Sequence, residues 1–292
     1  MGYRLDLAAP VPDALRAVLV ERLEHAHGAL REAQAGTAAA EAVHSARKDI
    51  KKARALLRLA RPGLAEAAYR AENGALRDIA RSLTAAREAD VLTETFALVA
   101  ARLAGRVAEP ELDALRERTA EIADALRPAA TPGAGAIPEQ TVSALAEAVA
   151  RAHALDLDRC DTGTLVAGSV RAYARGAQAL ATARHDTTAE HLHNWRKRAK
   201  DLWYHQRLLR DAWPDVLKAQ ADAADQLTKL LGDDHDLSQL AGHLPDEAAV
   251  LKAITELRAE LQDDAWLLGH RLYAEKPKAF GRRLARLLNA AT

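Results

Sequence analysis

Residues 44–58 read HSARKDIKKARALLR and residues 193–207 read HNWRKRAKDLWYHQR. The same side chains recur at one offset: His44 and His193, Arg47 and Arg196, Lys48 and Lys197, Lys51 and Lys200, and Arg58 and Arg207 are each 149 residues apart. A constant offset over five positions marks an internal duplication. Both stretches have helical periodicity. At about 100° per residue, His44, Arg47, Lys51, Arg54 and Arg58 fall within a sector of about 80°, and Val43, Ile50 and Leu57 point away from it as a separate stripe alongside. In the second copy His193, Arg196, Lys200, Tyr204 and Arg207 share one side, opposed by Trp195, Leu202 and Leu209. Each helix is expected to pack by its apolar face and to present cations on the other.

A solvated helix ordinarily mixes charge signs to gain i,i+4 pairs. Here 44–61 holds seven Lys/Arg against one acid, Asp49, and 193–210 holds six against one, Asp201. Such rows destabilise their own helix unless an anion offsets them. Over the whole chain 41 basic residues balance 41 acidic ones. That argues against a surface coated in nucleic acid and for one local anion site.

Outward from these helices, the 292 residues are 49% hydrophobic and only 4% aromatic. Ala, Leu, Arg and Glu dominate, so the fold class is predicted as all-α. Pro10/Pro12, Gly36, Pro62-Gly63, Pro110, Pro214, Gly232, Pro245 and Pro277 are expected to separate the helices. The uncharged stretch PAATPGAGAIP at 128–138 lies between the two copies of the motif. The expected architecture is therefore an N-terminal bundle over 1–127, a Pro/Gly/Ala-rich linker over 128–141, and a C-terminal bundle over 142–292. Each bundle would hold about four helices, the two related by an approximate two-fold axis and enclosing a basic cleft.

One cysteine, Cys160, allows no intramolecular disulfide and no cysteine-rich zinc site. The first 22 residues lack the apolar core of a signal peptide, and no stretch of about 18 apolar residues occurs. A cytoplasmic protein is expected.

The sequence resembles the CHAD family, the conserved histidine α-helical domain. The resemblance is carried by H-x-x-R-K-x-x-K at 44–51 and again at 193–200, LRDIARSLTAAREADVL at 76–92, VRAYARG at 170–176 and LTKLLGDDHDL at 227–237. It implies two helical bundles around a basic cavity that binds inorganic polyphosphate without catalysis, commonly at polyphosphate granules, and here as a stand-alone domain. It assigns the binding surface to His44, Arg47, Lys48, Lys51, Arg54 and Arg58, and to His193, Arg196, Lys197, Lys200, Tyr204 and Arg207. Arg87, Arg171 and Arg175 would extend that surface. Asp90 and Asp236 match acidic positions expected to hold basic side chains or to cap helices. Trp203 stands where the family usually carries Arg, a departure that would remove one phosphate contact. No cofactor or metal is implied; polyphosphate-metabolising proteins are conceivable partners, and membranes are not.

The chemistry suits that ligand. Polyphosphate carries about one charge per unit and has no base to read, so rows of Arg and Lys satisfy it much as they satisfy a nucleic-acid backbone. Arg offers a bidentate fork and Lys a movable point charge. Histidine near its ordinary pKa would add a donor that strengthens binding as pH falls.

Two rivals use the same residues. His235-Asp236 in GDDHDLSQ superficially resembles the metal pair of HD phosphohydrolases, with His191, His205 and His243 as further donors; the first repeat has AREADVL in that place, without histidine. An RNA-binding module would need aromatic platforms among the cations, and only Tyr204 is expected to project from the basic face. No P-loop is present, because GAGAI at 133–137 lacks the lysine. His25 and His27 are expected on the surface without a special role. The basic, amphipathic KPKAFGRRLARLL at 276–288 is read as a terminal bundle helix.

Overall fold

The computed structural model describes residues 2–34, 39–83, 99–126, 137–244 and 248–291. Among them no strand occurs, and ten helices carry the chain. They are α1 (Val11–Gln34), α2 (Ala39–Ala60), α3 (Glu66–Ser82), α4 (Glu109–Leu126), α5 (Glu139–Ala154), α6 (Thr162–His185), α7 (Ala189–Leu208), α8 (Pro214–Gly242), α9 (Ala248–Leu272) and α10 (Pro277–Ala291). Residues 99–103 form a further helical turn, and Arg61–Gly63 and Arg210–Ala212 are single 3-10 turns.

Local chemistry explains where helices begin. Pro12, Pro110, Pro214 and Pro277 all lie in first turns, where a missing backbone donor costs nothing. Asp161 caps α6 in a reciprocal box, accepting from Thr164 N at 2.7 Å while its own N donates to Thr164 Oγ1 at 3.2 Å. Thr188 Oγ1 accepts from His191 N at 3.1 Å and opens α7. Gly105, at φ 76, takes the left-handed conformation that turns the chain between 99–103 and α4. Gly36 and Pro245 lie outside the described residues.

One expected break does not occur. Gly232 sits inside the 29-residue helix α8. A Cβ there would stand 3.1 Å from the Arg196 guanidinium, so the glycine makes room for that side chain rather than ending the helix. An interior glycine costs only about 1 kcal/mol, which tertiary packing readily offsets.

The duplication is visible in the fold. Moved by 149 residues, α1 and α2 fall on α6 and α7 to within about two residues at each end, and α3–α5 precede α8–α10 in the same order. The packing repeats too: α5 rests on α1 as α10 rests on α6. Residues 137–141, in the segment expected as a linker, run into α5, and 128–136 lie outside the described residues. Apolar contacts cross between the copies. Val99, Leu103, Leu112 and Leu115 pack with Leu237, Ile254 and Leu257 of α8 and α9.

The apolar faces of the two basic helices are the buried ones. Val43, Ile50 and Leu57, and Trp195, Leu202 and Leu209, are at most 5% exposed. Trp195 stacks on Trp266 with ring centres 5.0 Å apart. Burying each such side chain supplies roughly 1.5–3 kcal/mol, so apolar packing fixes the angle at which the cations are presented. Helix α6 crosses α2 at Gly168, where a Cβ would fall 2.0 Å from the Leu59 carbonyl oxygen. No larger residue permits that approach, and it brings Arg171 and Arg175 over the end of α2.

Candidate functional site

Helices α2 and α7 meet through His205, whose Nε2 lies 3.0 Å from the Ala55 carbonyl oxygen. His205 is 1% exposed, and burial pushes its pKa down to about 4. It is therefore a neutral donor that pins the two basic helices together.

Each basic row, 44–61 and 193–210, keeps its single acid buried, and the repeat reverses the pair. Asp49 Oδ1 accepts from Lys52 at 2.7 Å, whereas 149 residues later Asp201 Oδ2 accepts from Arg198 at 3.0 Å, so acid and base have exchanged places. Asp49 also takes Arg22 at 3.3 Å and His25 Nδ1 at 2.6 Å. Burial alone would raise the Asp49 pKa, but Lys52, His25 and Arg22 together hold it below the ordinary range. His25, expected to have no special role, thus belongs to this anchor. Asp201 reaches across the helix contact, with Arg58 Nε 2.9 Å away.

The cations then divide into two zones. In the first, Arg58 and Arg61 at the end of α2, Arg171 and Arg175 on α6, and Tyr69 on α3 surround a cleft of about 290 Å³ measured out to solvent, with Asp201 and His205 at its back. Among the described residues Asp201 is the only carboxylate lining it. Arg61 is held by Glu66 at 2.7 Å and lies 4.4 Å over the Tyr69 ring. Arg54 lies beside this zone, its Nε donating to Asn73 Oδ1 at 3.0 Å. Burial, and then the neighbouring Arg58, pushes the Arg54 pKa down to about 10. Arg175 is lowered as well, by burial and then by Arg198. Arg171 and Arg175 are exposed, and among the described residues no carboxylate pairs with either.

The second zone runs along α7 beside α8. Lys200 Nζ stands 3.7 Å from Asp225 Oδ1 and 3.7 Å from the centre of the Trp203 ring. Arg207 lies 4.8 Å from the same ring. Burial chiefly, then Arg196 and Lys51, pushes the Lys200 pKa down to about 8, against the opposing pull of Asp225. Lys51 and Lys200, equivalent positions of the two copies, are therefore close enough to repel one another. Arg196 Nε donates to the Thr228 carbonyl oxygen at 3.2 Å. His44, Lys48, Lys51 and Lys197 are exposed, and Arg47 is half-buried.

Several expectations change in detail. Tyr204 does not project from the basic face; it is 5% exposed and edge-on to Tyr3, with ring centres 5.7 Å apart. The aromatic that faces the cations is Trp203, so the departure from the family pattern supplies a cation platform in place of a charge. His193 is no titrating donor near neutrality. It stacks on His235 at 4.2 Å, and burial, then His235, Lys197 and Arg196, push its pKa down to about 4. Asp236 lies within α8 rather than at a helix end, so it is no cap. Burial raises its pKa while the facing Arg196 opposes that rise. Arg87 and Asp90 lie outside the described residues.

The histidines of the hydrolase rival do not converge. His205 is spent on α2, His191 Nδ1 lies 2.8 Å from the Asp186 carbonyl oxygen, and His243 sits just past the end of α8. Among the described residues no group of three or more His, Cys, Asp or Glu could hold a metal ion. Nor is any described helix long and apolar enough to cross a membrane. Sequence reasoning missed Arg61, Tyr69 and Arg198. Arg61 carried a signal, because Arg210 lies the same 149 residues beyond it.

Residues 14–245 match the CHAD domain family. Among solved structures the chain is similar to PptA from Streptomyces chartreusis, at 16% identity and a TM-score of 0.60 over 91% of this chain and 100% of that one. It is also similar to the CHAD domain from the plant Ricinus communis, at 22% identity and a TM-score of 0.57 over 94% of this chain and 95% of that one. At those identities the likeness is one of fold. The search of curated proteins found no match.

Proposed function

The chain belongs to the CHAD domain family, a family of binding-type domains, and we propose that it binds inorganic polyphosphate in its basic cleft without hydrolysing it. The observation that carries this reading is the convergence of cations from both copies. Lys51 and Lys200 repel each other, and among the described residues four arginines and one carboxylate line the cleft. Helix packing and two buried acids sustain that arrangement at a cost in like-charge repulsion, which a polyanion relieves.

The proposed contact residues are those of the two rows, His44, Arg47, Lys48, Lys51, Arg54, Arg58, His193, Arg196, Lys197, Lys200 and Arg207, together with Arg171 and Arg175. Tyr204 supports the surface from beneath, packed on Tyr3. RNA fits less well, since Trp203 already carries Lys200 and Arg207 over its ring and the neighbouring Tyr204 ring is buried. A cytoplasmic protein that associates with polyphosphate granules follows from this reading.

The test is a gel-shift titration with long-chain polyphosphate, run in parallel with an assay for released orthophosphate in the presence of Mg²⁺, Mn²⁺ or Zn²⁺. A shift without release supports the proposal. Metal-dependent release would replace it with the hydrolase reading, and a shift with RNA that long polyphosphate cannot displace would replace it with the RNA reading.

A further inference from the structure

The two copies of the basic helix do not present two equal pockets. The cleft at Arg58, Arg61, Arg171 and Arg175 is open. Its counterpart is found by the 149-residue shift: Arg58 becomes Arg207, Arg61 becomes Arg210, Arg171 becomes Arg22, Asp201 becomes Lys52 and Arg175 becomes Ala26. The N-terminal segment fills that place. Tyr3, 5% exposed, donates from its hydroxyl to the Lys52 carbonyl oxygen at 2.8 Å, and its ring lies 5.7 Å from the Arg207 guanidinium carbon. Leu5 N donates to the Leu208 carbonyl oxygen at 2.8 Å, and Arg4 pairs with Asp211 at 3.3 Å. Three of the four cations on that side already hold a carboxylate, Arg22 and Lys52 through Asp49 and Arg210 through Asp211, and Arg207 lies over the Tyr3 and Trp203 rings. The segment precedes residue 14, where the family match begins.

On the open side the charge is not balanced. Asp201 serves both Arg58 and Arg198, Glu66 holds Arg61, and among the described residues no carboxylate pairs with Arg171 or Arg175. The back of the cleft is closed by the buried His205 and by the contact of α6 with α2 at Gly168. A pocket closed behind and rimmed by guanidinium forks admits a group that stops there, whereas an interior stretch of polymer must enter and leave.

The ends of a phosphate chain differ chemically from its interior. An internal unit has two non-bridging oxygens and one charge; a terminal phosphoryl group has three and takes a second charge with a pKa near 6, as a phosphomonoester does. Three oxygens and two charges match forks arriving from two helices. We propose that the cleft between α2, α6 and α7 is a socket for the terminal phosphoryl group of a polyphosphate chain, one per protein chain, because the N-terminal segment closes its counterpart. This rests on the polyphosphate reading above and assigns the open rows of Lys51, Lys200 and Arg196 to the body of the polymer.

Isothermal titration with linear tripolyphosphate, cyclic hexametaphosphate, orthophosphate and long-chain polyphosphate tests it. The ring carries more charge but has no end, so simple electrostatics favours the ring and a socket favours the linear trimer. The expected result is one linear tripolyphosphate per chain, bound about ten-fold tighter than the ring, corresponding to about 1.4 kcal/mol. That preference is expected to fall to about one-fold in Arg171→Gln/Arg175→Gln, whose two side chains are exposed and whose loss leaves the core intact. Tighter or equal binding of the ring overturns the socket. So do two linear molecules per chain, a preference that survives in the double variant, or orthophosphate competing as well as tripolyphosphate. Long-chain polyphosphate separates the two levels of failure: if the wild type does not bind it, the functional reading itself falls; if it does, without preference for ends, only the socket falls.

Discussion

Lys200 offers a direct view of the ligand's field. Its pKa is down to about 8 from an ordinary 10.5, through burial first and then the repulsion of Arg196 and Lys51, while Asp225 on α8 pulls the other way. A polyanion laid along these cations reverses the repulsion and returns the ammonium toward its ordinary value. Protein with a pKa near 8 has about half its Lys200 neutral at pH 8, about a tenth at pH 7 and about nine tenths at pH 9. Binding should therefore take up about 0.1, 0.5 and 0.9 proton at those three pH values. The assay is calorimetric titration with long-chain polyphosphate in buffers of different ionisation enthalpy, the slope giving protons taken up. Long chains keep the contribution of terminal phosphates small. His193, with a pKa about 4, and Arg54, about 10, contribute little near pH 8. Lys200→Arg keeps the charge but does not titrate in this range, so it should bind with uptake near zero. No uptake by the wild type at pH 8, or equal uptake by Lys200→Arg, would refute the placement of the polymer against Lys200.

Two further outcomes concern the scaffold that holds the cations. His205 has a folded pKa about 4, below its unfolded value near 6.5, so the native state binds fewer protons. Its contribution to stability is then full above pH 6.5 and lost as pH falls toward 4, about 2 kcal/mol by pH 5. Urea denaturation of wild type and His205→Gln at pH 7 and pH 5 should show the variant losing about 2 kcal/mol less between the two; equal losses would mean His205 is not the buried neutral group described. Gly168→Ala places a methyl 2.0 Å from the Leu59 carbonyl oxygen and should cost about 3 kcal/mol or more, read as a lower Tm. Gly28→Ala, with nothing within 4 Å of the added carbon, should instead stabilise by up to about 1 kcal/mol. Similar effects at the two positions would contradict the close α2–α6 crossing.

Much of the design was legible in the repeated stretch. Periodicity correctly sends Val43, Ile50, Leu57, Trp195 and Leu202 inward, because a helix bearing a cationic face must bury the opposite one. The 149-residue offset also survives as helix order and helix ends. What failed were effects that cross from one part of the chain to another. Tyr204 reads as exposed on a helical projection, but Tyr3, about two hundred residues earlier, covers it. His193 reads as a titrating donor until His235 of α8 stacks on it and dehydrates it. Gly232 reads as a break because composition does not reveal that Arg196 needs its space. In the sequence Asp49 and Asp201 count only as the one acid of each row, whereas they are the buried counter-charges that fix it. Arg61 and Arg198 escaped notice because the first ends its row beyond the matched positions and the second is the partner of an acid.

The central claim is that cations of both copies form one polyphosphate surface. Equilibrium binding of long-chain polyphosphate across a salt series, with wild type and Lys51→Glu/Lys200→Glu compared at equal helicity, tests it most directly. Wild type should bind tightly with log affinity falling linearly in log salt, as counterions are released, and the folded double variant should lose both affinity and slope. Equal binding by the two proteins, or a slope unchanged by the two substitutions, would contradict it.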